Sequence, residues 1–195
     1  MGKRESDMIE EIVGNIERFA GEKAKERFLE GFDAVSKTSD KRKIAKWVKN
    51  AVDKLDETVD EETRVKIMEN CGYNCATVNS KVLERAKKRR KRFDNVEEFL
   101  EAEQKNPPAG TRIEWRGELL NHYYTPRAFT RPMRCYCGLL RTLPDDETVS
   151  LTYCQCSKGF VQKYWEAILG RPVRVELKQS ALAGANECKF TVHLK

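Results

Sequence analysis

The stretch Asn106-Pro107-Pro108-Ala109-Gly110 leads into Thr111-Arg112-Ile113-Glu114-Trp115-Arg116-Gly117-Glu118-Leu119-Leu120-Asn121-His122-Tyr123-Tyr124, and it joins two different kinds of sequence. Two adjacent prolines remove backbone donors and fix φ, so no regular helix crosses them. Beyond them Ile113 and Trp115, then Leu119, Leu120 and Tyr123, flank Arg116-Gly117 as a hairpin. This break predicts two regions, 1–106 and 111–195.

Upstream the apolar period is helical. Ile9, Ile12, Val13, Ile16, Phe19 and Ala20 form one face, fading near Gly31. Thr38-Ser39-Asp40 caps a second helix with Ile44, Trp47, Val48, Ala51, Val52, Leu55 and Val59 on its face. Asp60 caps a third through Val65, Ile67 and Met68, ending at Cys71-Gly72. A fourth carries Cys75, Val78, Val82, Leu83 and Ala86 into the basic run Arg85–Arg92, and Asp94 with Glu97 opens a short fifth.

Downstream, Val149, Leu151 and Tyr153 alternate as a strand running into Cys154-Gln155-Cys156. Ser157 caps a helix with Phe160, Val161, Tyr164, Trp165, Ile168 and Leu169, ended by Gly170. Val173, Val175 and Leu177 form a strand, Ala183–Asn186 turns, and Phe190, Val192 and Leu194 close the chain. The expected class is α+β: an N-terminal helical bundle, then an antiparallel sheet with a packed helix.

Composition narrows the function classes. The 195 residues are 39% hydrophobic and 35% charged, with 37 Lys and Arg against 31 Asp and Glu. No window approaches the ~18 apolar residues of a membrane span, and nothing apolar follows Lys3-Arg4 as a secretory signal would require. The expected setting is cytoplasmic. Arg85–Arg92 holds seven basic residues in eight, but it lacks interleaved aromatics and acidic residues follow at once. A solvated helix end fits this run better than a nucleic-acid surface.

Seven cysteines carry the chemistry. Six form close pairs, Cys71/Cys75, Cys135/Cys137 and Cys154/Cys156, and Cys188 stands apart. Residues four apart share a helical face, and Cys-x-Cys in extended chain points both thiols to one side. Thiolates suit zinc, the preferred cofactor here, with an iron–sulfur cluster as the alternative, so all seven are metal-ligand candidates. Inert buried thiols and a redox disulfide are the competing readings. Cys156, just before the expected helix start at Ser157, is the candidate reactive thiolate. His122 is the candidate proton carrier, with Glu114 or Glu118 as its partner. Trp115, Tyr123, Arg134, Phe160 and Tyr164 are candidates to line a ligand pocket, with Arg134 suited to an acidic group.

The segments Tyr153–Phe160, Leu169-Gly170-Arg171-Pro172-Val173-Arg174-Val175-Glu176 and Ala183–Phe190 together resemble the C-terminal signature of the 4-vinyl reductase domain. Over its whole length the chain also resembles a family of small cysteine-rich proteins from anaerobes. Met68–Cys75, Cys135-Tyr136-Cys137-Gly138 and Tyr153–Ser157 carry that likeness. A more distant similarity is to L-2-amino-thiazoline-4-carboxylic acid hydrolases. The first resemblance implies a mixed sheet around a small-molecule pocket, often in a homodimer. It also implies a structural zinc held by a Cys, a Glu and two further Cys, whose positions fall on Cys154, Leu177, Ser180 and Cys188, so that the Glu and one Cys are absent here. The expected function is a metal-binding protein that senses or carries a small molecule. The alternative is an enzyme, either a hydrolase using metal-activated water or the Cys156 thiolate, or a reductase with an iron–sulfur cluster.

Overall fold

The computed structural model describes residues 1–128 and 133–195. Helices come first: α1 (Lys3–Ala20), α2 (Glu22–Leu29), α3 (Asp33–Ser36), α4 (Lys41–Thr58), α5 (Glu61–Val78), α6 (Ser80–Arg90) and α7 (Val96–Lys105). Strands β1 (Thr111–Arg116) and β2 (Leu119–Tyr124) follow, then α8 (Leu151–Leu169), β3 (Arg174–Gln179) and β4 (Cys188–His193). The protein is therefore α+β. No helix among the described residues is long and apolar enough to cross a membrane.

Local chemistry explains most boundaries. The Asp40 carboxylate accepts from the Arg42 and Lys43 amides to start α4, and Asp60 accepts from Thr63 to start α5. Asn95, not Asp94, caps α7 by accepting from Glu98. The two-residue hairpin turn places Gly117 at φ 58°, a left-handed conformation that favours glycine.

Two sequence expectations fail here. The Val149–Tyr153 stretch is not a strand: Ser150 caps α8 by accepting from Thr152, so the helix begins before the Cys154/Cys156 pair and not at Ser157. A short V-x-L-x-Y alternation cannot compete with a capped helix whose N-terminal end packs on other helices. Nor does α5 stop at Cys71-Gly72. It continues to Val78, and Gly72 serves the close crossing of α5 with α8. A Cβ on Gly72 would meet the Cys156 carbonyl and, at 2.9 Å, the Phe160 nitrogen; one on Gly159 would press on Glu69 backbone.

The four strands are antiparallel in the order β1-β2-β4-β3. Ile113, Leu120, His122, Val175, Phe190 and Val192 lie buried in the sheet, and α8 packs on it through Val161, Trp165 and Ile168. Two apolar cores result. The first unites α1 to α5 with Leu139, Leu140, Leu143 and the N-terminal end of α8. The second unites the sheet and the C-terminal end of α8 with α6 and α7 through Ala86, Phe99 and Leu100. Neither core is confined to one side of Asn106. Within the basic run, Arg89 is structural: it bonds buried Glu103 at 2.8 Å and the Tyr164 hydroxyl at 2.7 Å. The run ends α6 as a cationic last turn, which its dipole favours.

Candidate thiol site

Because α8 begins at Leu151, Cys154 and Cys156 are two apart on a helix and point to different faces. Cys154 is buried, with its Sγ 2.7 Å from the Ser180 hydroxyl. Ser180, just past the end of β3, also accepts from the Leu182 amide, and the next residue's amide, Ala181, donates to Cys188 Sγ at 3.4 Å. Cys154, Ser180 and Cys188 therefore form one contiguous group, although they are far apart in sequence. Leu177, the remaining position implied by the resemblance, pairs with Phe190 across the sheet.

The Cys135-Tyr136-Cys137 segment lies in the irregular connection before α8. Its conformation is fixed by buried Leu139, Leu140 and Leu143 and by Arg134, whose guanidinium donates to the carbonyls of Pro144, Glu147, Ala181 and Leu182. The Cys137 amide donates to Cys135 Sγ at 3.4 Å, and Cys137 Sγ lies 3.1 Å from the Tyr153 hydroxyl. Cys135, Cys137, Cys154 and Cys188 line one small cavity of about 40 Å³, together with Tyr124 and Tyr136.

The other three thiols stand behind this cavity. Cys71 is buried on α5, where Asn15 donates to its sulfur at 3.5 Å, while Cys75 is exposed one turn on. Burial pushes Cys156 well above the ordinary thiol range, and repulsion from Cys137, Cys135, Cys154 and Cys71 adds to it. Burial likewise takes Cys71 to about 12 and Cys154 to about 12. The same cause raises Cys75, with Cys137 the next contributor. All seven cysteines are free thiols, and as the protein stands the buried ones are held protonated. The expectation of an activated Cys156 fails, because that residue lies in the second turn of α8, where burial outweighs the dipole.

The expected acid–base group also fails. His122 is only 3% exposed, and burial lowers its pKa to about 3. Trp165 Nε1 donates to its Nδ1 at 3.0 Å, leaving the ring proton on Nε2, which has no hydrogen-bond partner. Glu114 is bound to Arg112 and to the Tyr123 hydroxyl, and Glu118 to Lys195, so neither partners His122.

The five expected pocket residues do not assemble. Trp115 bonds Gly117 in the hairpin, Tyr123 lies beneath the Arg112 guanidinium, Tyr164 holds Arg89, and Phe160 lies beside the α5 crossing. Arg134 lines the thiol cavity and a larger cleft of about 430 Å³ beside it. Arg42, Arg127, Arg141 and Thr142 line that cleft too, and sequence reasoning did not find them. They are scattered along the chain, and the signal in the sequence was Arg134, suited to an acidic group.

The donor set suits a soft metal, with four thiols from three chain segments around one cavity. Among the described residues, however, no three His, Cys, Asp or Glu side chains already stand in metal-binding geometry. A family model described as "Family of unknown function (DUF6144)" matches residues 4–195, and the chain belongs to that family. No curated protein matches the chain.

Proposed function

We propose that this DUF6144 member is a cytoplasmic metal-binding protein whose metal is held by thiolates of Cys135, Cys137, Cys154 and Cys188, in a 4-vinyl-reductase-like half that senses or carries a small ligand. The observation that carries this reading is the convergence of those four cysteines on one cavity. Zinc fits four thiolates without redox demand; an iron–sulfur cluster is the alternative. Bound there, the metal would supply structural cross-linking between the 133–150 connection, the start of α8 and the start of β4.

The chain's own residues prepare that role. Arg134 fixes the connection carrying Cys135 and Cys137, and Ser180 and Ala181 fix Cys154 and Cys188. The raised thiols must lose protons to bind, so metal loading is expected to release protons and to weaken steeply toward acid pH. Cys71, Cys75 and Cys156 form a second tier of thiols outside the lining of that cavity.

Elemental analysis and an ultraviolet–visible spectrum of anaerobically purified protein test the reading. One zinc per chain, lost when Cys154→Ser and Cys188→Ser are combined, is the expected result. A brown chromophore would move the assignment to iron–sulfur. Protein that stays metal-free when zinc is supplied anaerobically at neutral pH would overturn it.

A further inference from the structure

Beside the thiol cavity, and needing no metal, lies a cleft of different chemistry. Arg42 reaches it from the first turn of α4, Arg127 from the 3-10 turn after β2, and Arg134, Arg141 and Thr142 from the connection before α8. Asp145 is the one carboxylate among its described lining residues, and its side chain is 74% exposed. Glu147, nearby in the same loop, is paired with Lys46 at 3.3 Å.

The second observation concerns unmet donors. Buried polar groups are nearly always hydrogen-bonded, and one left alone costs about 1–3 kcal/mol. Among the described residues, Arg127 Nε, Arg134 Nε and Thr142 Oγ1 are buried with no hydrogen-bond partner, and all three residues line this cleft. Arg134 is the clearest case. Its side chain is 4% exposed and its Nη atoms are committed to backbone carbonyls, yet its Nε stands 3.6 Å from Asp145, beyond hydrogen-bonding reach. Arg127 meets Asp145 through Nη2 at 3.2 Å, and its Nε is left over. A set of fixed N–H donors with a surplus of positive charge is built to receive oxyanions.

We propose that this cleft binds a small organic anion bearing two or more phosphate or carboxylate groups. Four guanidiniums against one carboxylate call for more than one negative charge, and about 430 Å³ exceeds the need of a lone inorganic oxyanion. The Nε–H of Arg134 and of Arg127 and the Thr142 hydroxyl bond the deeper anionic group. Arg42 and Arg141 hold the outer one, with Arg141 fixed by its bond to the Tyr136 carbonyl at 2.7 Å. Asp145 occupies the guanidiniums until the ligand displaces it.

Calorimetric titration of the full chain with inorganic pyrophosphate and with tricarballylate, against sulfate at matched ionic strength, tests the proposal. One of the two polyanions should bind at least about tenfold more tightly than sulfate. Stronger pyrophosphate binding assigns a phosphate-bearing ligand, and stronger tricarballylate binding a polycarboxylate. Arg127→Ala should weaken that binding about tenfold, and so should Arg42→Ala, whose exposed side chain is not needed for folding. Asp145→Asn should tighten it about threefold, a gain that misfolding does not produce. Failure of both polyanions to exceed sulfate, or weaker binding by Asp145→Asn, would overturn the proposal. So would heat that vanishes in the combined Cys154→Ser, Cys188→Ser protein but survives in Arg127→Ala, because that pattern is metal stripping at the thiols.

Discussion

The two ends of α8 use one helix for opposite purposes. Its C-terminal end sets Val161, Tyr164, Trp165 and Ile168 against the sheet, where Trp165 is fully buried and its indole N–H is spent on His122. Its N-terminal end sets Tyr153, Cys154 and Cys156 among thiols, a cavity and the 133–150 segment, which holds no helix or strand. The first end is packed with aromatic edges, with His122 Nε2 its unpartnered group, and the second sets free thiols around a cavity. The contrast teaches that both ends are buried in an apolar core, but only the thiol end sets cysteines around a cavity.

The largest expected effect tests the sheet end. Trp165→Ala removes a fully buried indole and leaves both ring nitrogens of His122 unpartnered, and should cost about 4 kcal/mol in urea denaturation. A loss no greater than that of a thiol-end substitution would erase the contrast. Next comes the crossing between the ends. Gly72→Ala pushes a methyl group into the Cys156 carbonyl and must part α5 from α8, at about 3 kcal/mol. A Gly72→Ala protein of unchanged stability would show that the α5–α8 crossing does not need a glycine.

The ends should also answer pH with opposite signs. The unfolded chain protonates His122 near 6.5 but the folded one only near 3, so stability falls through that window as pH drops, by about 1.4 kcal/mol per unit. At pH 5 this amounts to about 2 kcal/mol, and His122→Phe should flatten the acid limb of the stability profile. The buried thiols do the reverse. Cys154 moves from 9.0 to about 12 on folding, so its contribution is whole below 9.0 and is lost as pH rises toward 12. In chelator-treated protein, Cys154→Ala should flatten the alkaline limb and leave the acid limb alone. Denaturation midpoints across pH separate the two; a change in the same limb for both variants would break the comparison.

The sheet end was legible in sequence and the thiol end was not, for a physical reason. Alternation at Ile113, Trp115, Val175, Leu177, Phe190 and Val192 reflects a half-buried sheet, and Asp40, Asp60 and Gly170 act through adjacent backbone, so local pattern sufficed. Gly72 was misread as a stop because its reason lies on another helix. The strand expected at Val149–Tyr153 yielded to a Ser150 cap, and with it the geometry assumed for Cys154-Gln155-Cys156. Sequence proximity keeps Cys135 with Cys137 but separates Cys154 from Cys156, which point to different faces of α8. Cys154 meets Ser180 and the neighbourhood of Cys188, while the strongest thiol influence on Cys156 comes from Cys137 and then Cys135. The arginine cleft draws on residues from 42 to 145, of which the sequence pointed to Arg134 alone.

The smallest expected change in stability discriminates most sharply within the thiol end. Cys154→Ser keeps a hydroxyl that can hydrogen-bond Ser180 and changes the volume little, so metal-free protein should lose only about 1 kcal/mol. Its metal content should nevertheless collapse, because a serine oxygen is a poor ligand for a soft metal. Cys75→Ser alters an exposed thiol outside the cavity and should change neither quantity. If Cys75→Ser loses the metal and Cys154→Ser retains it, the binding thiols are those of the second tier on α5, and the cavity at the start of α8 is only packing. If both retain it, no single thiol at this end is required. The predicted outcome, loss at Cys154 alone with stability nearly unchanged, would separate function from folding along the length of one helix.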